Sequence, residues 1–198
     1  MLLLLFTIVH FWKKFTISIY LLMLIYVLYI IFEILFPVLM PKIGSERVYD
    51  LDYFIMILIR LLYIAIFIRN GLLRNFSNKY LYVITFVGIM AVDFFILSIS
   101  DSDNFSLTIA ALFSLTQMPY ITIGFLTKSR DKYCLYAIQA GILVSSIVDS
   151  IYLYDIYVEE VDSAYTWVRL ACTIGEFLLA YGIIRNIDII KAFGFKAN

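Results

Sequence analysis

Six apolar runs, each about long enough to cross a bilayer as one helix, dominate this sequence. They lie at residues 16–38, 52–69, 80–100, 105–127, 133–154 and 164–186. A membrane-spanning helix needs roughly 20 mainly apolar residues, because each residue advances the helix by only about 1.5 Å. A backbone surrounded by lipid must satisfy its own hydrogen bonds, so such runs form helices. The sequence therefore predicts an all-α membrane protein with six transmembrane helices.

The composition supports a single membrane bundle. The 198 residues are 64% hydrophobic and 15% charged, whereas soluble domains are typically about half apolar and about a quarter charged. We expect one bundle over residues 15–190, an N-terminal segment at 1–14 and a tail at 191–198. The formal net charge is zero and the basic residues form no continuous patch, so we expect no nucleic-acid partner.

The N-terminal segment, MLLLLFTIVHFWKK, has too few apolar residues to span a bilayer. It also lacks a basic region ahead of its apolar part and a small-residue cleavage site, which a signal peptide would have. We expect a short interfacial helix with Trp12, Lys13 and Lys14 at the lipid headgroups. A start site placed too far downstream would give the same pattern.

Charge divides the connections between the runs into a basic set and an acidic set. Counted with the residues at the adjoining ends of the runs, eleven of the fifteen lysines and arginines lie before the first run, between the second and third, between the fourth and fifth, or at the end of the sixth and beyond. Counted in the same way, the other connections carry nine carboxylates but only Lys42 and Arg47. The positive-inside rule then predicts a multi-pass protein of the plasma (cytoplasmic) membrane with both termini in the cytoplasm. An even number of spans agrees with this orientation.

Polar residues within the runs recur at intervals of nearly sixty residues. One series is separated by 60 and 56 residues and the other by 57 and 59. The two series are Glu33, Asp93, Asp149 and Arg60, Gln117, Glu176. The runs therefore read as three degenerate helical hairpins, and sites in membrane bundles tend to form where such repeats meet.

Asp93 and Asp149 are the strongest candidates for a functional role. Each is followed by aromatic and aliphatic residues, in VDFFIL and VDSIYL, and has no basic residue within one turn of its own helix. Ionisable residues inside membrane spans are rare unless they are used. Unequal surroundings would leave one carboxyl protonated and the other ionised, which suits a general acid and a base in one pocket.

The other charged residues in the runs have simpler explanations. We expect Arg60 to be a structural counter-ion that reaches Glu33 or Asp93. Arg169 and Glu176 lie seven residues apart on one helix face, so an internal ion pair explains them as well as a function does. Glu33 is close to the outer end of its helix and can extend toward the headgroups.

Gln117 and Tyr120 share a helix face in LTQMPYITIG, and Pro119 between them can bend the helix around a cavity. Substrate binding and ordinary interhelical packing explain this pair equally well. No cluster of His and Cys has metal-ligand spacing, and the acidic loops do not match an EF-hand, so we expect no metal and no cofactor. The chain carries no phosphate-binding loop, dinucleotide fingerprint or nucleophile elbow.

Three segments resemble the YhhN-type lysoplasmalogenase family. In VDFFILSISDSDNFSLTIAALFSLTQMPYITIGF, Asp93 and Tyr120 match the Asp of a Gly-Asp pair and the Tyr of a His-x-x-Tyr motif. Val92 stands in place of that Gly and Gln117 in place of that His.

The other two segments are LVSSIVDSIYLYDIY and TIGEFLLAYGIIR. The first resembles the family's Ser-Asp-Ser segment through Asp149 and Ser150, with Val148 replacing the first Ser. The second resembles its last helix, with Glu176 where a Gln is expected. The family usually has an extra helix pair between the two Asp segments.

The resemblance implies hydrolysis of the vinyl-ether bond of a lysoplasmalogen, a membrane lysophospholipid. That reaction needs an acid to protonate the enol ether and a carboxylate to stabilise the oxocarbenium ion or to activate water. The resemblance assigns these roles to Asp93 and Asp149. It assigns substrate binding to the polar residues of the same segments, namely Gln117, Tyr120, Ser150 and Glu176.

Two other classes of function fit the same carboxylates. A small transporter would use them as the hairpins rock, and it predicts polar residues along a path across the whole membrane. A non-catalytic sensor or partner subunit would read pH, ions or a lipid, and it requires a membrane partner chain.

Overall fold

The computed structural model of the protein describes residues 16–73, 76, 78–129, 131–159, 161 and 163–192. Within these residues it contains no strand and six long α-helices. They are α1 (Ile17–Ile43), α2 (Ser45–Arg69), α3 (Lys79–Ile99), α4 (Asn104–Leu126), α5 (Lys132–Tyr157) and α6 (Ala164–Ala192). Each contains a stretch long and apolar enough to cross a membrane. The all-α architecture of six transmembrane helices is confirmed, while the predicted interfacial segment 1–14 lies outside the described residues.

Four of the six helices are longer than the apolar runs that predict them, while α3 and α4 equal their runs in length and are each shifted by one residue. α1 continues five residues past the predicted end at 38, although Pro37 and Pro41 lie inside it. α2 begins seven residues before its apolar run, directly after Gly44, whose φ of +84° suits a residue without a side chain. The first two residues of the predicted tail at 191–198 are the last two of α6. Hydropathy marks the part of a helix that lies in lipid, whereas the helix itself continues until a cap or a turn ends its hydrogen bonds.

Three helices begin with a side-chain cap. Asn78 accepts a hydrogen bond from the amide of Leu81, and Asp131 accepts one from the amide of Tyr133. Asp103 accepts one from the amide of Ser106 at 2.7 Å. Asn and Asp are favoured here because their oxygens satisfy amides that have no partner within the helix. The hydrogen bonds from Ser106 hold the pKa of Asp103 below its usual range, so α4 starts with a carboxylate at the positive end of its dipole.

The connections gather at two ends of the bundle, which we call the basic end and the acidic end. The basic end contains the described residues between α2 and α3, those between α4 and α5, and the C-terminal part of α6. The acidic end contains the turn at 44, residues 100–103 and the described residues between α5 and α6. At the basic end, an isolated antiparallel bridge joins Leu72 to Thr127. The side-chain amide of Asn186 also donates to the carbonyl of Lys128 at 3.2 Å. The first two loops of the basic end and α6 are thereby held together.

Close packing of α5 on α6 depends on glycine. A Cβ at Gly182 would lie 2.8 Å from the carbonyl oxygen of Cys134, and one at Gly141 would lie 3.0 Å from the carbonyl oxygen of Gly175. Small residues let two membrane helices approach until their backbones touch. Among the described helices, α5 and α6, the third hairpin, share the most extensive contact, and this hairpin carries Asp149 and Glu176.

We expect Gly182→Ala to destabilise the protein by about 1–3 kcal/mol, because the new methyl group would press against backbone that cannot move away. Gly88→Ala is the matched control, since a Cβ at that position meets nothing within 4 Å. Reversible unfolding in detergent micelles measures both variants. Equal stability of the two would contradict this account of the α5–α6 contact.

Candidate functional site

An ion pair between Arg60 of α2 and Asp149 of α5 lies in the core of the bundle. The two residues are only 4% and 5% exposed, and Nη2 of Arg60 donates to Oδ2 of Asp149. Nη1 of Arg60 donates to the carbonyl of Phe113 at 2.8 Å and to Oγ1 of Thr116 at 3.3 Å. The guanidinium also lies 3.6 Å from the centre of the Phe113 ring. The expectation that Arg60 would pair with Glu33 or Asp93 is wrong, because α2 and α4 together aim it at α5.

Asp93 has no cation in contact with it among the described residues. It is 1% exposed, and its Oδ1 accepts a hydrogen bond from the hydroxyl of Ser150 at 2.5 Å. Its Oδ2 has no hydrogen-bond partner within the described part of the chain. Arg60 and Asp149 act on Asp93 electrostatically without touching it. The two candidate catalytic carboxyl groups therefore have unequal surroundings, one with a guanidinium and one with a hydroxyl group.

Glu176 is held by two tyrosines from the first hairpin. The hydroxyl of Tyr29 donates to Oε1 at 3.0 Å, and the hydroxyl of Tyr63 donates to Oε2. The predicted tie between Arg169 and Glu176 is replaced by an ion pair between Arg169 and Glu33 at 2.7 Å. Both members of that pair are about half exposed. Arg169 and Glu176 share a helix face but do not bind each other, because side chains of α1 and α2 are better placed to bind each of them.

A small central cavity lies where five of the helices meet. Its volume is about 20 Å³, which is enough for one water molecule. Across it, the hydroxyl oxygens of Tyr120 and Ser145 lie 3.1 Å apart. The residues that line it are Tyr29, Met56, Ile59, Arg60, Tyr63, Tyr120, Ser145, Asp149, Cys172 and Glu176. Polar groups on several sides make this a suitable position for an ordered water beside Asp149.

A larger apolar groove runs between α3 and α5. Its volume is about 580 Å³, within the usual range of small-molecule sites. It is lined by Ile84, Thr85, Gly88, Ile89, Val92, Phe95, Ile96, Leu143, Ile147, Ser150, Ile151 and Tyr154. Ser150 thus contributes to the wall of the groove while its hydroxyl group binds Asp93.

The four predicted substrate-binding residues lie in three places. Tyr120 and Glu176 line the central cavity, and Ser150 lines the groove. Gln117 is fully buried, and neither of its side-chain amide atoms has a hydrogen-bond partner among the described residues. Gln117 therefore lies on α4 within the packed interior of the bundle and lines neither the central cavity nor the groove.

Three residues of this region are missing from the sequence-based predictions. Tyr29 and Tyr63 are two of sixteen tyrosines, most of which pack or face lipid, so no local signal separates them from the others. Asp52 is the first residue of the second apolar run and is one of the nine carboxylates counted with the outer connections, yet it is 9% exposed and accepts a hydrogen bond from Tyr152 at 2.7 Å. Its apolar neighbours on both sides were the signal that it belongs to a helix.

The described residues contain no group of three or more His, Cys, Asp and Glu side chains that could hold a metal ion. Comparison of the chain with protein-family models, with curated proteins and with solved structures finds no match. The resemblance to the YhhN-type family therefore stays a prediction.

We expect Arg60→Leu to destabilise the protein by about 3–5 kcal/mol, because it leaves Asp149 buried without its partner. The double variant Arg60→Leu/Asp149→Leu should recover much of that loss, since apolar side chains of similar volume often replace a buried pair at little cost. Unfolding of the parent, both single variants and the double variant in detergent gives the coupling energy. A double variant no more stable than Arg60→Leu would contradict this interpretation.

Proposed function

We propose that this membrane protein is a lipid hydrolase that cleaves the vinyl-ether bond of a lysophospholipid. Asp93 and Asp149 are the proposed acid and base. The observation that carries the proposal is the pair of neighbouring residues on α5, since Asp149 binds Arg60 while Ser150 binds Asp93. The two buried carboxyl groups, from different helices, are thereby linked to consecutive residues of α5, and Ser150 also lines the apolar groove.

The unequal partners decide the roles of the two groups. Asp149 has a guanidinium beside it, so it serves as the carboxylate. Asp93 accepts a hydrogen bond from the hydroxyl of Ser150 and has no cation in contact with it among the described residues, so it serves as the proton donor. A pair of carboxyl groups whose surroundings differ in this way is the usual arrangement for acid and base chemistry.

The proposed reaction consumes one water. Asp93 gives its proton to the alkenyl carbon farther from the ether oxygen, and the double-bond electrons form the new C–H bond. The positive charge that develops on the nearer carbon and the oxygen is stabilised by Asp149. Water adds to that carbon and gives a proton to Asp149, from which it returns through water to Asp93. As the hemiacetal collapses, its hydroxyl proton moves to the ether oxygen and the C–O bond breaks, which gives an aldehyde and the glycerol hydroxyl group.

The central cavity supplies a position for that water. It borders Asp149 and Ser145, and it is also lined by Tyr29 and Tyr63, whose hydroxyl groups donate to Glu176. Gln117 has an amide where the resembling family has an imidazole, and an amide orients but does not relay a proton. We therefore propose that Asp93 receives its next proton through water and not through Gln117.

The orientation of the protein follows from charge. We propose that the basic end faces the cytoplasm and the acidic end faces outward, in the plasma (cytoplasmic) membrane. In this orientation α3 and α5 run from the cytoplasm outward. The buried residues Asp93 and Asp149 lie past the midpoints of these two helices, so the proposed site is in the outer half of the bilayer.

The test is release of aldehyde from a lysoplasmalogen by the purified protein and by its Asp93→Asn and Asp149→Asn variants. A general acid or base contributes about 10²–10⁴-fold, so each variant should lose activity by roughly that factor. Ser150→Ala removes a hydrogen bond to a carboxyl group and should lose about 10–100-fold. Asp101→Asn, a change at an exposed loop position, is the matched control and should keep the parent rate.

No release from well-folded parent protein over a panel of headgroups would overturn the proposal. Release that persists in Asp93→Asn would reject the assignment of the acid but leave the reaction intact. Thermal unfolding of every variant, measured in the same detergent, separates a lost proton transfer from a lost fold.

A further inference from the structure

We propose that the groove between α3 and α5 binds one hydrocarbon chain of a membrane lipid. This inference goes beyond the proposed function, because the groove would hold a chain whether or not the protein cleaves it.

The length of the groove matches one leaflet of a bilayer. Along α3 it extends from Ile84 to Ile96, which corresponds to roughly 18 Å at 1.5 Å per residue. One leaflet contributes about half of a hydrocarbon core that is roughly 30 Å thick. A lipid chain lying beside α3 and α5 therefore fits the groove from end to end.

The groove is too narrow for a protein helix, because the two helices that line it also contact each other, whereas a helix with its side chains is about 10 Å across. A single hydrocarbon chain is much thinner. A two-chain lipid would have to leave its second chain outside, on the exposed surface of α3 or α5.

The lining of the groove is continuous with the lipid-facing surface of the bundle. Ile84, Phe95 and Ile151 form part of its wall and are 70%, 60% and 43% exposed. They lie on membrane-spanning stretches of α3 and α5. Because the bilayer core surrounds this surface, the molecules available to enter the groove from the side are lipid chains.

Gly88 keeps the groove open. It lies in the middle of α3 and in the groove wall, and a Cβ built on it meets nothing within 4 Å. In other helices of this protein glycine lets two backbones touch, as Gly182 does, but at Gly88 the space is left empty. A larger side chain there would occupy the groove without displacing a neighbouring helix.

A chain in the groove would also cover the buried carboxyl group beside it. Ser150 is both a wall residue and the hydrogen-bond donor to Asp93. A chain lying against Ser150 would shield Asp93 from water that enters from the side. For the proposed hydrolysis, this arrangement selects lipids that present a single chain next to Asp93.

The experiment uses a lysophosphatidylcholine that carries a photoreactive diazirine in its acyl chain. The full-length protein in detergent is irradiated with this probe, and the labelled peptides are identified by mass spectrometry. We expect the label on residues 84–96 and 143–154. Gly88→Leu should reduce labelling of both segments about tenfold, whereas Val87→Leu, which adds bulk to the adjacent lipid-facing position, should label like the parent.

Ile147→Trp blocks the groove from α5 and repeats the test if Gly88→Leu unfolds. Label spread evenly over the lipid-facing helices, or undiminished labelling in both blocked variants, would overturn the proposal. Labelling needs no turnover, so a positive result together with no aldehyde release would retain the chain site and reject the hydrolase. Absence of label from the groove segments together with normal aldehyde release would reject the chain site and retain the hydrolase.

Discussion

The ion pair between Arg60 and Asp149 is the interaction around which the bundle is organised. A charge inside a membrane span is expensive unless a partner and hydrogen bonds satisfy it. Arg60 binds Asp149 of the third hairpin and, through Nη1, the Phe113 carbonyl and Thr116 of the second. One side chain of the first hairpin therefore joins all three hairpins, and the central cavity lies directly beside this junction.

The fold class was predictable because the bilayer imposes it on the sequence. Length and apolar character identify a span with little reference to neighbouring helices, and all six spans are found. The ends of the helices were less predictable. Gly44 turns the chain directly from α1 into α2, and Pro37 and Pro41 remain inside α1. These details depend on caps and turns outside the lipid, to which hydropathy does not respond.

The partners within the site were harder to predict than its members. Asp93 and Asp149 were recognised as buried because a carboxylate in an apolar run is unusual, and both are buried in the structure. The pairing of Arg60 with Asp149 depends on which helices are neighbours, and a list of spans does not contain that order. The hydrogen bonds from Tyr29 and Tyr63 to Glu176 were hidden for another reason. Tyrosine is so common in this chain that its function shows only in contacts.

The periodicity of α5 explains how one helix serves two different spaces. Consecutive residues of an α-helix point about 100° apart, so Asp149 and Ser150 face different neighbours. Asp149 faces the polar cavity and Arg60, and Ser150 faces α3 and the apolar groove. The cavity has polar groups and room for one water molecule, and the groove has room for a hydrocarbon chain, but neither space provides both. A reaction between water and a lipid needs both spaces. On α5, the residues that line the two spaces are adjacent in sequence at Asp149 and Ser150.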